Sequence, residues 1–153
     1  QESIDRLNEI KSSGRIFFTV GNMEYLKHGG RIGKVASVAG SLLGIKPIIT
    51  LKEGEIFPSG IGRSRRKTVD KTIDLLLAYL AEEKTDIADY SICIGYGYDK
   101  EEAVEFRDRL VSRLKEKGYD IDTIPIFQIG ATIGVHTGPY PLGIGVVKKS
   151  IRE

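Results

Sequence analysis

The chain has 153 residues, of which 41% are hydrophobic and 29% charged, proportions typical of one globular domain with its own core. Its 23 basic and 21 acidic side chains nearly balance, which argues against general affinity for nucleic acid or for an anionic membrane. The single cysteine, Cys93, excludes a disulfide framework and a cysteine-based metal cluster.

No apolar stretch of the sequence approaches the roughly 20 residues that cross a bilayer, and the first residues lack the apolar centre of a signal peptide. We therefore expect no membrane span and a cytoplasmic location. The chain opens with Gln rather than Met, within a segment that already has a helical pattern. We expect it to be a fragment of a longer polypeptide.

The first element is predicted to be a helix, because Ile4, Leu7 and Ile10 recur at helical spacing before Gly14. A compact β-prone run at residues 15–20 follows it and predicts a strand. The chain therefore begins with a helix, a turn and a strand.

A short helix is predicted to start at Asn22, a good N-cap residue, and to run through Leu26. The pair Gly29-Gly30 ends this helix and allows a tight backbone path. Arg31 emerges directly from that break.

The middle of the chain contains a second short helix and a hairpin. Apolar positions within residues 34–45 fall on one helical face. Residues 46–63 then contain two β-rich runs joined by turn-forming residues at 52–54, which predicts a hairpin. Pro58 in the second run is typical of an edge strand.

The second half alternates helices and strands. Amphipathic helices are predicted over residues 66–83 and 100–117, the latter with a capping box formed by Asp99 and Glu102. Three further apolar runs are short enough for strands, at residues 90–94, 123–129 and 142–147. A hairpin within a βα chain predicts a two-layer α/β domain with a mixed, roughly six-stranded sheet and helices mainly on one face.

Three segments are candidates for a functional site. Leu26–Lys34 presents Arg31 from a glycine break, which favours binding of a carboxylate or phosphate, although the glycines could equally serve only to separate two helices. Gly130–Gly145 is predicted to be a Gly/Pro-rich loop that carries His136. Residues 63–67 concentrate four positive charges at a helix start, where the helix dipole disfavours them.

No catalytic constellation is visible in the sequence. The serines lack a nucleophile elbow, and His28 and His136 lack the spacing of metal ligands. We therefore expect neither an enzyme nor a metal site.

The segments EYLKHGGRIGK, AGSLLGIKPIITLKEGEI, GRSRRK and IGVHTGPYPLGIG, in this order, resemble the DegV family of bacterial lipid-binding proteins. The resemblance implies that residues 1–153 form a single domain, similar to the C-terminal lipid-binding domain of these two-domain proteins, with the N-terminal domain absent. It further implies a non-enzymatic carrier without a cofactor. The carrier binds a long-chain fatty acid and presents its carboxyl group to a separate fatty acid kinase.

By the same resemblance, Arg31 and His136 contact the carboxylate of the fatty acid. The basic residues Arg63, Arg65 and Arg66 resemble the surface that engages the kinase. The acyl tunnel is expected to be lined by Ser41, Leu42, Leu43, Ile45, Pro47, Thr137 and Tyr140, for which plain core packing remains an alternative. Where the family commonly has glycine after His-x-Gly-Pro, this chain has Tyr140.

Two other functions remain open from the sequence. One is a small-molecule enzyme that acts on a carboxylate or phosphate through Arg31 and His136. The other is a nucleic-acid-binding or regulatory module that works through residues 63–67, for which steep salt dependence of binding would be the mark.

Overall fold

The computed structural model of the chain describes residues 1–39, 46–83 and 86–149. The helices in these ranges are α1 (Glu2–Ser13), α2 (Glu24–His28), α3 (Ala36–Ala39), α4 (Arg65–Glu83), α5 (Lys100–Glu116) and α6 (Ala131–Thr137). The strands are β1 (Arg15–Thr19), β2 (Lys46–Lys52), β3 (Glu55–Gly62), β4 (Tyr90–Tyr96), β5 (Ile126–Gln128) and β6 (Leu142–Lys148). Short 3-10 turns occupy Gly33–Val35 and Ile87–Asp89.

The strands form one mixed sheet. Over the described part of the chain it has six strands in the order β3-β2-β1-β6-β4-β5. β4 and β5 are parallel, and every other neighbouring pair is antiparallel. The predicted six-stranded mixed sheet is confirmed.

The main core lies between one face of the sheet and the two long helices. Alternate residues of β4 are buried on this face, as expected for a strand with one face against the core. Ile94 and Ile144 from the sheet, together with Leu76 of α4 and Phe106 and Leu110 of α5, have no exposed surface. The amphipathic patterns of the two helices therefore meet a single apolar sheet face, which confirms the α/β fold class.

A smaller cluster lies at the β1–β2 end of the opposite face. It consists of Val20, Leu26, Val35 and Ile49, all at most 3% exposed. Leu26 comes from α2 and Val35 from the 3-10 turn that follows it. This cluster fixes the short segments around the predicted glycine break against the sheet.

The predicted hairpin is present, and its turn geometry explains why its sequence forms one. Glu53 and Gly54 both have positive φ, of 52° and 80°, which matches a type I′ turn between β2 and β3. β3, which contains Pro58, is an edge strand of the sheet. The sequence expectation for Pro58 is therefore confirmed.

Two predicted caps form in altered versions. Asn22 Oδ1 accepts a hydrogen bond from the backbone N–H of Glu24 at 3.0 Å, although α2 itself begins one residue later than predicted. Asp99 Oδ1 caps α5 by accepting from the Glu102 N–H at 2.9 Å. The Glu102 carboxylate turns to Arg65 instead of completing the capping box, because the guanidinium offers a charged partner.

The segment after β5 differs most from the sequence expectation. Residues 131–137, predicted as part of a loop, form helix α6. Gly134, which lies within the helix, obscured the helical pattern, since glycine in a helix costs about 0.5–1 kcal/mol relative to alanine. The helix packs against α2, so tertiary contacts outweigh its weak propensity.

Further differences concern exposure and length. The apolar residues Ile4 and Leu7 of α1 are 56% and 63% exposed. β5 covers three residues of the predicted strand at 123–129.

Cys93 is half-buried, and burial raises the pKa of its thiol. None of the helices in the described ranges is long and apolar enough to span a membrane.

Tyr79 connects α4 to the end of α1. Its hydroxyl donates a buried hydrogen bond to the Ser13 carbonyl at 2.8 Å, and burial raises the pKa of the phenol above its ordinary value. We expect Tyr79→Phe to lower the free energy of unfolding by about 1–2 kcal/mol, because the Ser13 carbonyl loses its donor. Urea unfolding at neutral pH measures this loss.

The same substitution should show a pH dependence. The folded protein holds the Tyr79 proton more tightly than the unfolded chain, so this stabilisation is complete below the unfolded pKa of about 10 and declines above it. The difference in the free energy of unfolding between wild type and Tyr79→Phe should therefore become smaller in alkaline buffer. The control is Tyr98→Phe, at a residue that is 76% exposed. It should change neither the free energy of unfolding at neutral pH nor the dependence of this free energy on pH. A gap that stayed constant with pH would contradict this assignment.

Candidate functional site

The predicted site residues Arg31 and His136 both lie against Gly29. The imidazole of His136, in the last turn of α6, packs on the Cα of Gly29, so that a β-carbon at this position would overlap Nδ1. Arg31 Nη1 donates to the Gly29 carbonyl at 3.1 Å. The glycine break and α6, which are about 100 residues apart in the sequence, thus meet at one point.

The backbone around Gly29 is tightly bonded. The Gly29 N–H donates to the Tyr25 carbonyl at 2.9 Å, and the Arg31 N–H donates to the Leu26 carbonyl at 2.8 Å. Gly30 has a φ of 64°, in the left-handed region that glycine adopts without strain. Arg31 is therefore presented from a fixed turn and not from a loose loop.

The two polar side chains differ in exposure. Arg31 is exposed, whereas His136 is partly buried and its Nδ1 atom is fully buried without a hydrogen-bond partner among the described residues. A buried nitrogen without a partner costs about 1–3 kcal/mol. Because Nδ1 packs on Gly29, the imidazole can meet a ligand only through its other ring nitrogen, and with the exposed guanidinium this makes a suitable pair for a carboxylate or phosphate.

A cavity of about 500 Å³ is lined by residues close in sequence to this pair, although neither Arg31 nor His136 is among its described lining residues. Thr137, which follows His136, and Tyr25, which precedes Gly29 by one helical turn, both line it. Among the described residues its lining is Gly21, Asn22, Tyr25, Lys46, Arg65, Asp99, Glu102, Thr137, Pro139 and Tyr140. The cavity thus collects residues from every part of the chain.

The polar residues of this cavity largely bind one another or the backbone. Lys46 Nζ donates to the Gly21 carbonyl at 2.9 Å, and Thr137 Oγ1 donates to the Ile133 carbonyl at 3.2 Å. Arg65 is paired with Glu102, and Asp99 caps α5. The rings of Tyr25 and Tyr140 and the aliphatic stems are left to contact a ligand, while Arg65 Nη1 is buried without a hydrogen-bond partner among the described residues.

Arg65 is held by an ion pair with Glu102. Its Nε and Nη2 atoms donate to the two Glu102 carboxylate oxygens, each at 2.8 Å, and both side chains are 25% exposed. Its neighbours Arg63 and Arg66 are exposed instead. The three arginines predicted to form one partner surface therefore lie in two environments.

The Arg65–Glu102 pair should stabilise the fold measurably. A double-mutant cycle with Arg65→Gln and Glu102→Gln should give a coupling energy on the order of 1–2 kcal/mol, because the pair is bidentate and partly shielded from water. The matched control is the pair Lys34–Glu55, whose side chains are 56% and 60% exposed and whose coupling should be about 0–1 kcal/mol. Equal couplings in thermal unfolding would contradict this expectation.

A second cavity of about 460 Å³ lies on the other side of Tyr25 and Pro139, which line both. Its remaining wall is mostly apolar or glycine: Gly97, Tyr98, Gln128, Ile129, Ala131, Gly134, Val135, Gly138 and Pro141. The Gly138 backbone packs against the Tyr25 ring, which fixes this shared wall.

The predicted tunnel residues are distributed unevenly. Thr137 and Tyr140 line the first cavity, whereas Pro47 is buried in β2 and is not among the lining residues of either cavity. Ser41, Leu42, Leu43 and Ile45 lie outside the described residues. The sequence interpretation missed Tyr25, although its position four residues before Gly29 on a short helix was a usable signal.

The described residues contain no cluster of His, Cys, Asp and Glu side chains that could hold a metal ion. The acidic residues of the first cavity are already engaged, Asp99 with a backbone N–H and Glu102 with Arg65. These two carboxylates are therefore engaged within the protein.

Comparison with known proteins gives relatives along almost the whole chain. A DegV domain-containing protein of Clostridium perfringens is 35% identical over 97% of this chain and 50% of its own length. One from Clostridium acetobutylicum is 32% identical over 95% of this chain and 49% of its own length. The chain thus spans about half the length of the curated relatives it matches.

Solved structures share the fold. A stearic-acid-binding protein from Eubacterium ventriosum superposes with a TM-score of 0.86 at 43% identity, over 97% of this chain and 49% of its own. A fatty-acid-binding DegV family protein from Thermus thermophilus gives a TM-score of 0.76 at 26% identity, with the same two coverages. A family model described as an uncharacterised protein of the DegV family matches residues 1–149. The chain therefore belongs to the DegV family.

Proposed function

We propose that this chain is the part of a fatty-acid carrier that holds a long-chain fatty acid and presents its carboxyl group to a separate fatty acid kinase. The observation that carries the proposal is the convergence of Arg31 and His136 on Gly29, with Thr137, the residue after His136, in the lining of the first cavity. Relatives from Eubacterium ventriosum and Thermus thermophilus that share this fold bind fatty acids.

The two ends of a fatty acid fit the two parts of this site. The Arg31 guanidinium presents several donors to a carboxylate, and His136, whose Nδ1 is buried against Gly29, offers its other ring nitrogen for a further hydrogen bond. The acyl chain leaves water for the rings of Tyr25 and Tyr140, and each buried methylene contributes about 0.8 kcal/mol. Charge recognition and apolar burial thus act on opposite ends of one ligand.

The kinase contact in this proposal rests on the exposed residues Arg63 and Arg66. Exposed cations steer an acidic partner and act mainly on the rate of association. Arg65 is less suited to this role because Glu102 already occupies its guanidinium. The relatives are about twice as long as this chain, so a further domain that completes the fatty-acid site is also part of the proposal.

The test is native mass spectrometry of the protein in its longest natural form, with extraction and identification of any bound lipid. A stoichiometric fatty acid that is lost in Arg31→Ala and in His136→Ala supports the proposal. Lys27→Ala is the control, because Lys27 is an exposed cation of the neighbouring helix α2. Folded protein that carries no lipid and gains none from added fatty acid would exclude a carrier.

The presentation step is tested separately. With a fatty acid kinase and ATP, the loaded protein should support formation of an acyl phosphate. The charge reversals Arg63→Glu and Arg66→Glu should slow this reaction most at low salt, because steering is strongest there. Unchanged rates at all salt concentrations would remove these two residues from the partner surface.

A further inference from the structure

Tyr140 lies in a short loop whose backbone is fixed. The Gly97 N–H donates to the Pro141 carbonyl at 3.0 Å, and the Tyr98 N–H donates to the Pro139 carbonyl at 2.8 Å. The prolines on both sides of Tyr140 restrict the backbone further. These hydrogen bonds and prolines therefore hold the backbone of Tyr140 against the residues that follow β4.

The side chain of Tyr140, which is 47% exposed, has two neighbours that restrict it. A β-carbon at Gly21 would lie 3.3 Å from the Tyr140 Cβ, so the strand end at Gly21 leaves room for the tyrosine and little more. The Tyr140 ring meets the Tyr98 ring edge to face, with centroids 6.3 Å apart and planes inclined by 83°. Such aromatic pairs contribute beyond the area that they bury.

The Tyr98–Tyr140 pair lies at the boundary between the two cavities. Tyr140 lines the first cavity and Tyr98 lines the second, while Tyr25 and Pro139 line both. An acyl chain that fills the first cavity and extends toward the second meets the Tyr140 ring. Because Tyr140 contacts Gly21 and the Tyr98 ring, a chain that is one or two methylenes too long must break these contacts to displace it.

We infer that Tyr140 is a specificity-determining residue, which limits the length of acyl chain that the first cavity accepts. This inference rests on the proposed function, since it assumes that the ligand is a fatty acid. It assigns the selectivity to the aromatic ring and not to the phenol hydroxyl. Removal of the ring joins the first cavity to the space in front of Tyr98.

The substitution Tyr140→Ala should therefore shift the preference toward longer chains. In wild type, affinity should rise with each methylene and then stop rising or fall at one length. In the variant the rise should continue beyond that length, by up to about fourfold in affinity per added methylene. Tyr140→Phe keeps the ring and should retain the wild-type limit.

The experiment is a competition assay with saturated fatty acids from dodecanoate to docosanoate on wild type, Tyr140→Ala and Tyr140→Phe. Tyr140→Leu replaces the alanine variant if that protein unfolds, which circular dichroism shows. If Tyr140→Ala still binds fatty acids but shows the same limit on chain length as wild type, the inference is overturned. The proposed function is not affected by this result. A wild-type protein that binds none of the acids overturns the proposed function itself.

Discussion

Replacing Gly29 with alanine should weaken fatty-acid binding by more than tenfold. The new β-carbon would overlap Nδ1 of His136 and approach the Tyr25 carbonyl oxygen to 3.0 Å. Gly29 has φ −76° and ψ 0°, which any residue adopts, so the backbone itself tolerates alanine. The imidazole must therefore rotate away, and the carboxylate loses one of its two proposed partners.

Two neighbouring glycines provide matched controls for this substitution. A β-carbon at Gly30 or at Gly134 would meet no atom within 4 Å. Gly30→Ala should cost about 1–2 kcal/mol of stability because of its left-handed φ, without touching His136. Gly134→Ala should stabilise α6 by about 0.5–1 kcal/mol.

Isothermal titration calorimetry with stearate and thermal unfolding, applied to all three variants, separate binding from folding. Only Gly29→Ala should lose affinity out of proportion to its change in stability. If Gly30→Ala reduces affinity as strongly as Gly29→Ala does, the contact between Gly29 and His136 is not what positions the imidazole.

Phe106→Ala should lower the free energy of unfolding by about 3–5 kcal/mol, the largest stability loss that we expect from a single substitution in this chain. Phe106 is fully buried and is among the largest side chains of the main core between α4, α5 and the sheet. It lies one turn after Glu102 on α5, so the cavity that alanine leaves also loosens the helix that holds Arg65.

Urea unfolding with a two-state fit measures this loss. Phe127→Ala is the control for loss of a phenylalanine as such, because Phe127 is 59% exposed and its ring contributes little to the main core. A loss below about 1 kcal/mol in Phe106→Ala would mean that the core closes around the missing ring, in contrast to the tight packing of protein interiors.

Most of the fold followed from patterns that the sequence displays directly. The long helices α4 and α5 bury continuous apolar stripes, and the β2–β3 hairpin has the turn residues that its geometry requires. Helix α6 did not follow, because Gly134 lowers local helix propensity and the stability of α6 comes from contact with α2. Contacts between segments distant in sequence are invisible to a local pattern.

The site shows the same division. Arg31 and His136 were selected from motifs, and the structure places both beside Gly29. The roles of Tyr25 and Lys46 depend on which surfaces the fold brings together, and although both residues lie in segments that carry the family resemblance, nothing in those segments marked them as cavity lining. Arg65 was grouped with Arg63 and Arg66 because they are neighbours in sequence, yet the first turn of α4 directs only Arg65 toward Glu102.

The position of β6 has a consequence for synthesis of the chain. β6 follows the other five described strands in sequence, and it lies between β1 and β4. Until β6 has left the ribosome, β1–β2–β3 and β4–β5 are two separate strand groups, each with an unpaired inner edge. Such edges are templates for association with other chains. Premature termination before residue 142 should therefore yield a product that aggregates. A chain that includes β6 should not aggregate in this way, because β6 pairs with both inner edges.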